Sequence, residues 1–414
     1  MLGTVDFHDP RTFKVHLAVI QPTPFCNIDC AYCYLPNRNL NRRMTDEILE
    51  QACRFLFAQP ERLADELVVA WHAGEPLTLP IQFYRSAFSI MQELAPSSVQ
   101  VTHSFQTNAT LISQEWCDLI RQWNVHLGVS LDGPEFLHDG HRVDRAGRGT
   151  FDRVMRGVAL LRRNDIPFST IAVLSQESLD YAEELWDFFR HLGVRDLAFN
   201  CESIESQHST SSLADCSSPA RVHDFFEKLL ELRDTQDPAV RIRELDYFVE
   251  GIPHWQRSFR RIENVPLSIL GIAWNGDIST FSPELVGVSN AAHGDFIFGN
   301  VASSSLDTIL ENPRFVSVFR DISAGISKCR TECEYFRVCG GGSPSAKLSE
   351  NGTFDSTETL SCRLHIKCLA DLVFSALEKK RGHGGNEGLN VGERLDRLLA
   401  SELLVPARAA GVSS

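Results

Sequence analysis

The fold is decided by a short stretch near the N-terminus, Phe25-Cys26-Asn27-Ile28-Asp29-Cys30-Ala31-Tyr32-Cys33-Tyr34. Its three cysteines are spaced C-x3-C-x2-C and follow an apolar run, residues 15–21, that predicts a β-strand. Three thiolates can hold three irons of a cubane iron–sulfur cluster and leave the fourth iron open for chemistry. The alternatives are a zinc site or cysteines that are neighbours by chance. Structural zinc usually needs four ligands, commonly in paired units, and no second pair lies nearby in the sequence.

This spacing, with Tyr32 just before the third cysteine, resembles the signature of the radical S-adenosylmethionine (SAM) enzymes. The resemblance implies a four-iron (4Fe-4S) cluster on Cys26, Cys30 and Cys33, with Tyr32 beside the bound SAM. In that family the open iron takes the amino and carboxylate groups of SAM. One electron from the cluster then cleaves SAM to a 5′-deoxyadenosyl radical.

Composition and charge narrow the class of protein. A chain of 414 residues with 43% hydrophobic residues suits a soluble globular enzyme of two or three domains, or a large barrel with additions. The formal net charge of −14 argues against a nucleic-acid partner, which would need a basic surface. The sequence has neither an apolar run long enough to cross a membrane nor a signal peptide. We therefore expect a cytoplasmic protein.

The twelve cysteines fall into two groups and a scattered remainder. In an intracellular chain they are more often metal ligands or buried small side chains than disulfides. Three stand at positions 26–33 and five at positions 329–368, whereas the others are isolated. We expect structural roles for the isolated ones, Cys53, Cys117, Cys201 and Cys216.

From residue 15 to about 232, short apolar runs alternate with amphipathic helical stretches, as in sequential βα units. Thr45 and Thr150 are expected to cap two of the helices, and a helix over 178–192 is expected to stop at Gly193. Six right-handed parallel units predict a partial (β/α)6 barrel of the TIM type, with its active-site loops at the carboxyl ends of the strands. The predicted strands are residues 15–21, 66–71, 99–105, 125–131, 166–174 and 195–200.

The motif His72-Ala-Gly-Glu-Pro76 follows the second predicted strand and resembles the Gly-Gly-Glu-Pro motif of the radical SAM family. Ala73 replaces one glycine, a change that a contact made through the backbone tolerates. The resemblance implies that the backbone of this loop receives the SAM ammonium group. The residues concerned are Ala73, Gly74, Glu75 and Pro76.

Polar residues at the ends of the next two strands are expected near SAM or its ribose, again by this resemblance. Arg142 is a candidate partner for a carboxylate, because its planar guanidinium matches one, and the alternative is a surface arginine. His72, His103 and His126 are expected in the core or at the rim, not as metal ligands. The expected SAM neighbours are Gln106, Asn108, Ser130 and Asp132.

The C-terminal cysteines follow the pattern Cys329-x3-Cys333-x5-Cys339-Gly-Gly-Gly, with Cys362 and Cys368 further on. With Trp274-Asn-Gly-Asp upstream, this resembles the SPASM extension of peptide-modifying radical SAM enzymes, which in full holds two auxiliary four-iron clusters. Phe281 and Ser343 stand where ligand cysteines of the nearer cluster are expected, so the resemblance implies that this cluster is missing. One outer cluster remains, held by Cys329, Cys333, Cys339 and Cys362, with Cys368 as an alternative fourth ligand. Four thiolates also suit zinc, which stays the alternative.

Composition and motifs divide the chain into five expected segments. Residues 1–14 lead into the barrel at 15–235, and residues 236–265 form a linker with a bridging helix. Residues 266–375 form the SPASM-type α+β extension. Residues 376–414 carry a glycine-rich loop, 381–388, and an amphipathic helix near 393–404.

Strings along the chain, among them Gln21-Pro-Thr-Pro-Phe-Cys26 and Gly128-Val-Ser-Leu-Asp-Gly-Pro134, resemble the cyclophane-forming maturases of the glycine-rich-repeat type. That resemblance implies a crosslink between an aromatic ring carbon and a side-chain β-carbon two residues later, in a ribosomally made precursor peptide. It also implies an electron donor such as flavodoxin or ferredoxin. Glu284 and Glu202 are the candidate proton acceptors.

Two other functions are weighed against this one. A sulfatase-maturing enzyme shares the architecture, but it normally keeps both auxiliary clusters and carries an aspartate where this chain has Ser282. A non-catalytic peptide-binding or electron-transfer protein would have no need of an open iron. Both comparisons favour the crosslinking maturase.

Overall fold

The structure is a computed structural model and describes residues 13–255, 259, 261–380 and 388–400. Most of the predicted N-terminal lead-in, nearly all of the glycine-rich loop and the end of the last predicted helix lie outside these residues. None of the described helices combines the length and apolar character needed to cross a lipid bilayer.

The strands, in chain order, are β1 (Val15–Ile20), β2 (Ile28–Cys30), β3 (Leu63–Trp71), β4 (Gln100–Thr107), β5 (His126–Ser130), β6 (Arg142–Asp144), β7 (Ser169–Leu174), β8 (Asp196–Cys201), β9 (Arg241–Ile242), β10 (Ile269–Ile272), β11 (Asp277–Thr280), β12 (Ser289–Asn290), β13 (Gly294–Asp295) and β14 (Gly299–Asn300). The helices are α1 (Asp46–Phe57), α2 (Ile81–Leu94), α3 (Gln114–Trp123), α4 (Glu135–His141), α5 (Phe151–Arg163), α6 (Ala182–His191), α7 (Ser218–Gln236), α8 (Arg243–Gly251), α9 (Leu306–Leu310), α10 (Pro313–Glu332), α11 (Phe336–Cys339), α12 (Pro344–Asn351), α13 (Cys368–Lys380) and α14 (Val391–Ala400).

The predicted parallel core is confirmed, because β1, β3, β4, β5, β7 and β8 lie side by side in that order and run parallel. Their carboxyl ends meet at one edge, as the pairing of Ile20 with Trp71 and of Trp71 with Phe105 shows. The sheet is open, since β14 and β9 lie at its two margins. Loops that follow the core strands are therefore gathered on one rim.

The sheet continues into the C-terminal part of the chain. Strand β10 pairs in parallel with β1, aligning Ile272 with Ile20, and β11 and β14 add antiparallel pairs beyond it. The first strands after residue 266 thus extend the barrel sheet. Helix α13 lies elsewhere, packed against α7 and α8.

Helix boundaries follow the predicted signals with two exceptions. Thr45 caps α1, its Oγ1 accepting a hydrogen bond from the Ile48 amide at 3.3 Å. Thr150 precedes α5 without capping it, because its hydroxyl donates instead to the Arg142 carbonyl at 2.8 Å. The predicted helix over 178–192 is a 3-10 turn, Ser178–Asp180, followed by α6. Gly193 follows with a φ of +77°, as expected for a helix-ending glycine.

An aromatic cluster fixes the outer face of the sheet beneath the rim. Trp71 at the end of β3 packs edge-on against Tyr84 of α2, with ring centroids 5.2 Å apart. Tyr84 packs in the same way against Phe105 of β4 at 4.8 Å, and its hydroxyl donates to the Pro76 carbonyl. These contacts hold the ends of two core strands and the loop between them in one position.

Candidate functional site

The three N-terminal cysteines lie on one wall of a cavity of about 650 Å³ at the carboxyl edge of the sheet. The cysteine loop is closed by two backbone hydrogen bonds, from Cys26 N to the Arg38 carbonyl at 3.1 Å and from Cys33 N to the Cys30 carbonyl at 3.2 Å. Burial raises the pKa of Cys26 to about 12 and that of Cys30 to about 11. Thiols in such surroundings stay protonated unless a metal supplies positive charge.

The spacing of the sulfurs bears on which metal group these thiols fit. In the described part of the chain, no three cysteine sulfurs all lie within 4.8 Å of one another. A tetrahedral zinc ion with Zn–S bonds near 2.3 Å would bring its sulfurs to about 3.8 Å apart. The described thiols therefore do not show the close spacing of a single tetrahedral zinc site, and three thiols in one loop are a donor set that suits an iron–sulfur cluster.

The loop after β3 lies directly against the cysteine loop. A Cβ at Gly74 would approach the carbonyl oxygens of Thr23 at 2.4 Å and of Phe25 at 2.7 Å, so only glycine fits there. Ala73 has a φ of +68°, in the left-handed region that L-residues avoid. The sequence analysis predicted that alanine is tolerated at position 73, but it did not foresee that alanine is strained in this backbone conformation.

Glu75 connects this loop to the end of β4. Its carboxylate accepts hydrogen bonds from the Leu77 amide at 3.0 Å, the Thr107 hydroxyl at 2.7 Å and the Asn108 amide at 2.8 Å. The side chain is buried, and burial raises its pKa to about 7. The carboxylate of Glu75 is thus occupied by protein donors.

Three of the four predicted SAM neighbours, Gln106, Asn108 and Ser130, line the same cavity at the carboxyl ends of β4 and β5. Gln106 Nε2 donates to Ser130 Oγ at 2.8 Å, and Gly128 leaves the space that the Gln106 amide fills. Asn108 donates to Asn27 in the cysteine loop at 2.8 Å. These polar groups therefore form one connected surface beside the three thiols.

Arg142 is buried, so the alternative of a surface arginine is wrong. Its Nε and Nη2 donate to the two oxygens of Asp132 at 2.9 and 3.0 Å, a bidentate pair. The Tyr32 hydroxyl donates to the same carboxylate, and the guanidinium lies 5.4 Å from the Tyr32 ring centroid. Arg142 Nη1 also lies 4.0 Å from Cys30 Sγ. The planar fork of Arg142 is therefore matched to Asp132 of the protein itself.

The lining of the cavity is acidic, with six glutamates and three arginines among the described residues. Of its three arginines, Arg142 is paired with Asp132, Arg243 with Glu244, and Arg261 with Glu263 at 2.9 Å. Among the described residues, the lining carboxylates left without a cationic side chain within ion-pair distance are those of Glu75, Glu205 and Glu284.

Glu202 and Glu284, the two candidate proton acceptors, differ in their surroundings. Glu202 pairs with His208 at 2.9 Å and accepts from the Ser212 amide at 2.8 Å. Glu284 Oε2 is buried with no hydrogen-bond partner among the described residues. Burial, and then the charge of Glu263, raise the pKa of Glu284 to about 7. Glu284 is therefore the freer base.

The sequence analysis missed Glu205. It lines the same cavity, accepts a hydrogen bond from Ser345 at 3.1 Å, and its pKa is raised by burial and by the charge of Glu284. It stands in a polar, serine-rich loop after β8, where one more acidic residue gives no signal. Only its position close enough to Glu284 for the two charges to interact distinguishes it.

Four C-terminal thiols come together at the ends of α10 and α11 and at the start of a π-helical turn, Cys362–Lys367. Burial is the main cause of the raised pKa values of Cys329, Cys333 and Cys339, and the nearby Cys362 raises all three further. Cys368 lies apart, with its sulfur 3.4 Å from the Pro219 carbonyl on α7. The geometry therefore favours Cys362 as the fourth member of the set.

A packed aromatic side chain occupies one of the two positions at which a cysteine ligand of the nearer cluster is expected. Phe281 is fully buried and stacks on Phe315 and Phe319, with centroids 5.7 and 6.3 Å away. Ser343, at the other expected position, lies 3.0 Å from the Ser345 hydroxyl. An aromatic stack and a pair of serines occupy the places where further thiols are expected.

Two of the three histidines lie in the core or at the rim as predicted, His103 and His72, whereas His126 does not. His103 is buried and stacks on Phe88 at 4.2 Å, and His126 is exposed at the start of β5. His72 lines the cavity, with its Nδ1 buried and unpartnered in the described structure. Burial lowers the pKa of His72 to about 4, so its ring is neutral near pH 7.

Comparison with known proteins adds sequence relatives. The family described as Radical SAM superfamily matches residues 20–189. An uncharacterized protein of Synechocystis sp. is 42% identical over 371 residues, covering 89% of this chain and 93% of the relative. A serine-type anaerobic sulfatase-maturating enzyme of Klebsiella aerogenes is 37% identical over 194 residues. That match covers 46% of this chain and 48% of the enzyme, about half of each.

Solved structures share the fold. The structure described as native anSMEcpe with bound AdoMet and Cp18Cys peptide aligns with a TM-score of 0.74 and 19% identity, covering 88% of this chain and 98% of that one. Streptococcus suis SuiB bound to precursor peptide SuiA aligns with a TM-score of 0.60 and 18% identity, covering 84% and 76%. At these identities the likeness is one of fold.

Proposed function

This chain belongs to the radical SAM superfamily, and we propose that it joins an aromatic ring carbon to a side-chain β-carbon in a precursor peptide. One observation carries the proposal. A single cavity runs from Cys26, Cys30 and Cys33 to the carboxylates of Glu205 and Glu284. It therefore offers space for a peptide segment between a radical source and a proton acceptor.

The crosslink balances as the loss of two hydrogens. One C–H bond at the β-carbon and one on the ring are broken, and one C–C bond is formed. One hydrogen leaves as an atom, and the other leaves as a proton and an electron. When bound at Cys26, Cys30 and Cys33, the cluster and SAM supply the hydrogen-abstracting radical.

The protein's own groups supply the rest of the chemistry. The loops after β3, β4 and β5 are joined by hydrogen bonds and carry the polar surface expected to receive SAM. The aromatic cluster behind these loops keeps that surface rigid. Glu284 takes the ring proton, since one oxygen of its carboxylate has no described partner and its pKa of about 7 suits a base at neutral pH. We propose that the electron leaves through an outer cluster on Cys329, Cys333, Cys339 and Cys362 to a carrier such as flavodoxin or ferredoxin.

Sulfatase maturation is the second candidate, and the match to the Klebsiella aerogenes enzyme favours it. That reaction oxidises a cysteine or serine side chain and also needs a proton acceptor. Ser282, at the position of the aspartate expected in such enzymes, is buried and offers a hydroxyl in place of a carboxylate. The aromatic stack at Phe281 counts against a nearby auxiliary cluster, which those enzymes are expected to keep.

The test is co-expression with a short candidate precursor peptide encoded beside the gene, followed by fragmentation in a mass spectrometer. We expect a mass loss of two hydrogens and no backbone cleavage inside one aromatic-x-x segment. With the β-carbon deuterated, one deuterium should appear in 5′-deoxyadenosine. Cys33→Ala, which removes one cluster ligand, is the control and should give unchanged peptide. An unchanged precursor together with conversion of a co-expressed sulfatase would assign the second function instead.

A further inference from the structure

Lys347 is a buried cation whose described partner is a sulfur atom. It lies on α12 with 3% of its surface exposed, and its Nζ donates to Cys329 Sγ at 3.3 Å. Within the described part of the chain, no carboxylate lies within ion-pair distance of Nζ. A buried ammonium is costly unless an anion faces it. The thiolates of the outer set are the anions available.

The surroundings leave room for this side chain. A Cβ at Gly325 would lie 3.2 Å from Lys347 Nζ, and one at Gly342 would lie 3.5 Å from both Lys347 Cε and Cys362 Sγ. Gly342 also donates its amide to Cys339 Sγ at 3.2 Å, while its carbonyl accepts from Asn264 at 2.9 Å. The lysine and this amide thus both direct N–H groups at the outer sulfurs.

Lys367 offers a comparison within the same region. It also lies close enough to Cys333 and Cys362 for their charges to act on it, yet its side chain is one-third exposed and forms an ion pair with Glu358. Water and a carboxylate screen its charge. The charge of Lys347 has neither kind of screening.

We propose that Lys347 is the fixed counter-charge of the outer thiolate set and raises the reduction potential of the cluster bound there. The proposal rests on the outer cluster of the proposed function. Uptake of one electron makes a cluster more negative, and a positive charge with N–H donors at its sulfurs stabilises that state. Lys347 therefore acts through the cluster and does not touch the substrate. Its charge favours transfer of the one electron released by crosslinking to the outer cluster, from which the electron passes to a one-electron carrier protein.

The experiment is a potentiometric titration of the full chain, prepared without oxygen and followed by electron paramagnetic resonance, with iron and sulfide counted first. Four proteins are compared: wild type, Lys347→Met, Lys347→Arg and Lys367→Met. We expect Lys347→Met to shift one of two midpoint potentials downward. Lys347→Arg and Lys367→Met should keep the wild-type values, and the potential of the Cys26, Cys30 and Cys33 cluster should stay constant throughout.

The outcomes distinguish a failure of this inference from a failure of the proposed function on which it rests. About eight irons per chain with an unmoved midpoint in Lys347→Met would overturn the role of Lys347 alone. About four irons in the wild type would overturn both the outer cluster and the inference. If Lys347→Met loses the outer irons, retention in Lys347→Arg supports the charge, whereas loss in both shows that the shape of lysine matters and overturns it.

Discussion

Ala73 holds a backbone conformation that alanine adopts only at a cost. Its φ of +68° puts Cβ close to the following carbonyl oxygen, a strain that costs roughly 1–2 kcal/mol. Glycine would relieve this strain, but it would give back about 0.5–1 kcal/mol because its unfolded chain has more conformational freedom. We expect Ala73→Gly to raise the free energy of unfolding by up to about 1 kcal/mol, measured by urea titration. Ala70→Gly, in β3 just before the loop, is the matched control and should destabilise.

Glu284 predicts a pH dependence. Its pKa of about 7 lies above the ordinary value, so the carboxylate form becomes abundant only as the pH rises through about 7. Product formation should rise over that interval in the wild type, and Glu284→Gln should lower it at least about 100-fold and flatten the profile. Product is measured by mass spectrometry across the pH range.

The same pKa shift also has a consequence for stability. A raised carboxyl pKa means that the folded state favours the protonated form, so this contribution to stability is fully present below the ordinary carboxyl pKa of 4.5 and is lost as the pH rises from there through about 7. Glu284→Gln should therefore gain more thermal stability over the wild type at alkaline than at acidic pH. If Glu202→Gln reproduced the loss of activity and the flat profile, Glu202 would be the proton acceptor instead.

At the scale of elements, one ion pair joins four strands. Asp132 follows β5 and accepts from Arg142, the first residue of β6, and from the Val173 amide of β7 at 2.9 Å. Arg142 is in turn aligned with Cys30 in the pairing of β6 with β2. The cysteine loop is therefore attached to the barrel through this pair.

Removing one partner of that pair should be costly. Arg142→Met leaves Asp132 buried without its cation, and breaking a buried pair typically costs about 3–5 kcal/mol. We expect a loss of that size in urea unfolding of the metal-free protein, with part of it recovered when Asp132→Asn is added. A single variant as stable as the wild type would mean that the pair contributes nothing to the fold.

At the scale of the whole molecule, the cavity lies between the sheet and the C-terminal helices. The barrel supplies the three N-terminal cysteines, and the C-terminal part supplies Ser345 and His365. His365, in the π-helical turn, accepts a hydrogen bond from the Cys201 amide of β8 at 3.1 Å. This contact places Cys362, three residues earlier, relative to the barrel.

The last two cysteines, Cys362 and Cys368, have different surroundings although only six positions separate them in the sequence. Cys362→Ser should remove about four irons per chain, because it takes a ligand from the outer set. Cys368→Ser should keep them, since its sulfur faces α7. Iron analysis of the reconstituted variants measures both. Equal iron content in the two would contradict the assignment of Cys362.

Much of the fold was predictable because its signals are local. Strand and helix periodicity along residues 15–232 gave six parallel strands in the observed order, and each strand end differs from its prediction by only a few residues. The cysteine spacings are equally local, since ligands in one loop are close in space whatever surrounds them. Thr150 is the instructive error, because a distant carbonyl competes for its hydroxyl.

The sequence by itself thus determined the radical SAM fold, the two cysteine groups and the rim on which the loops meet. Only the tertiary structure decided which partner each polar side chain has. It paired Arg142 with Asp132, brought Glu205 to Glu284, buried Lys347 against Cys329 and separated Cys368 from Cys362. Except for the Arg142–Asp132 pair, these contacts depend on residues that are distant in the chain or on how deeply a side chain is buried. Periodicity and spacing record neighbours along the chain, whereas charge pairing and desolvation depend on neighbours through space.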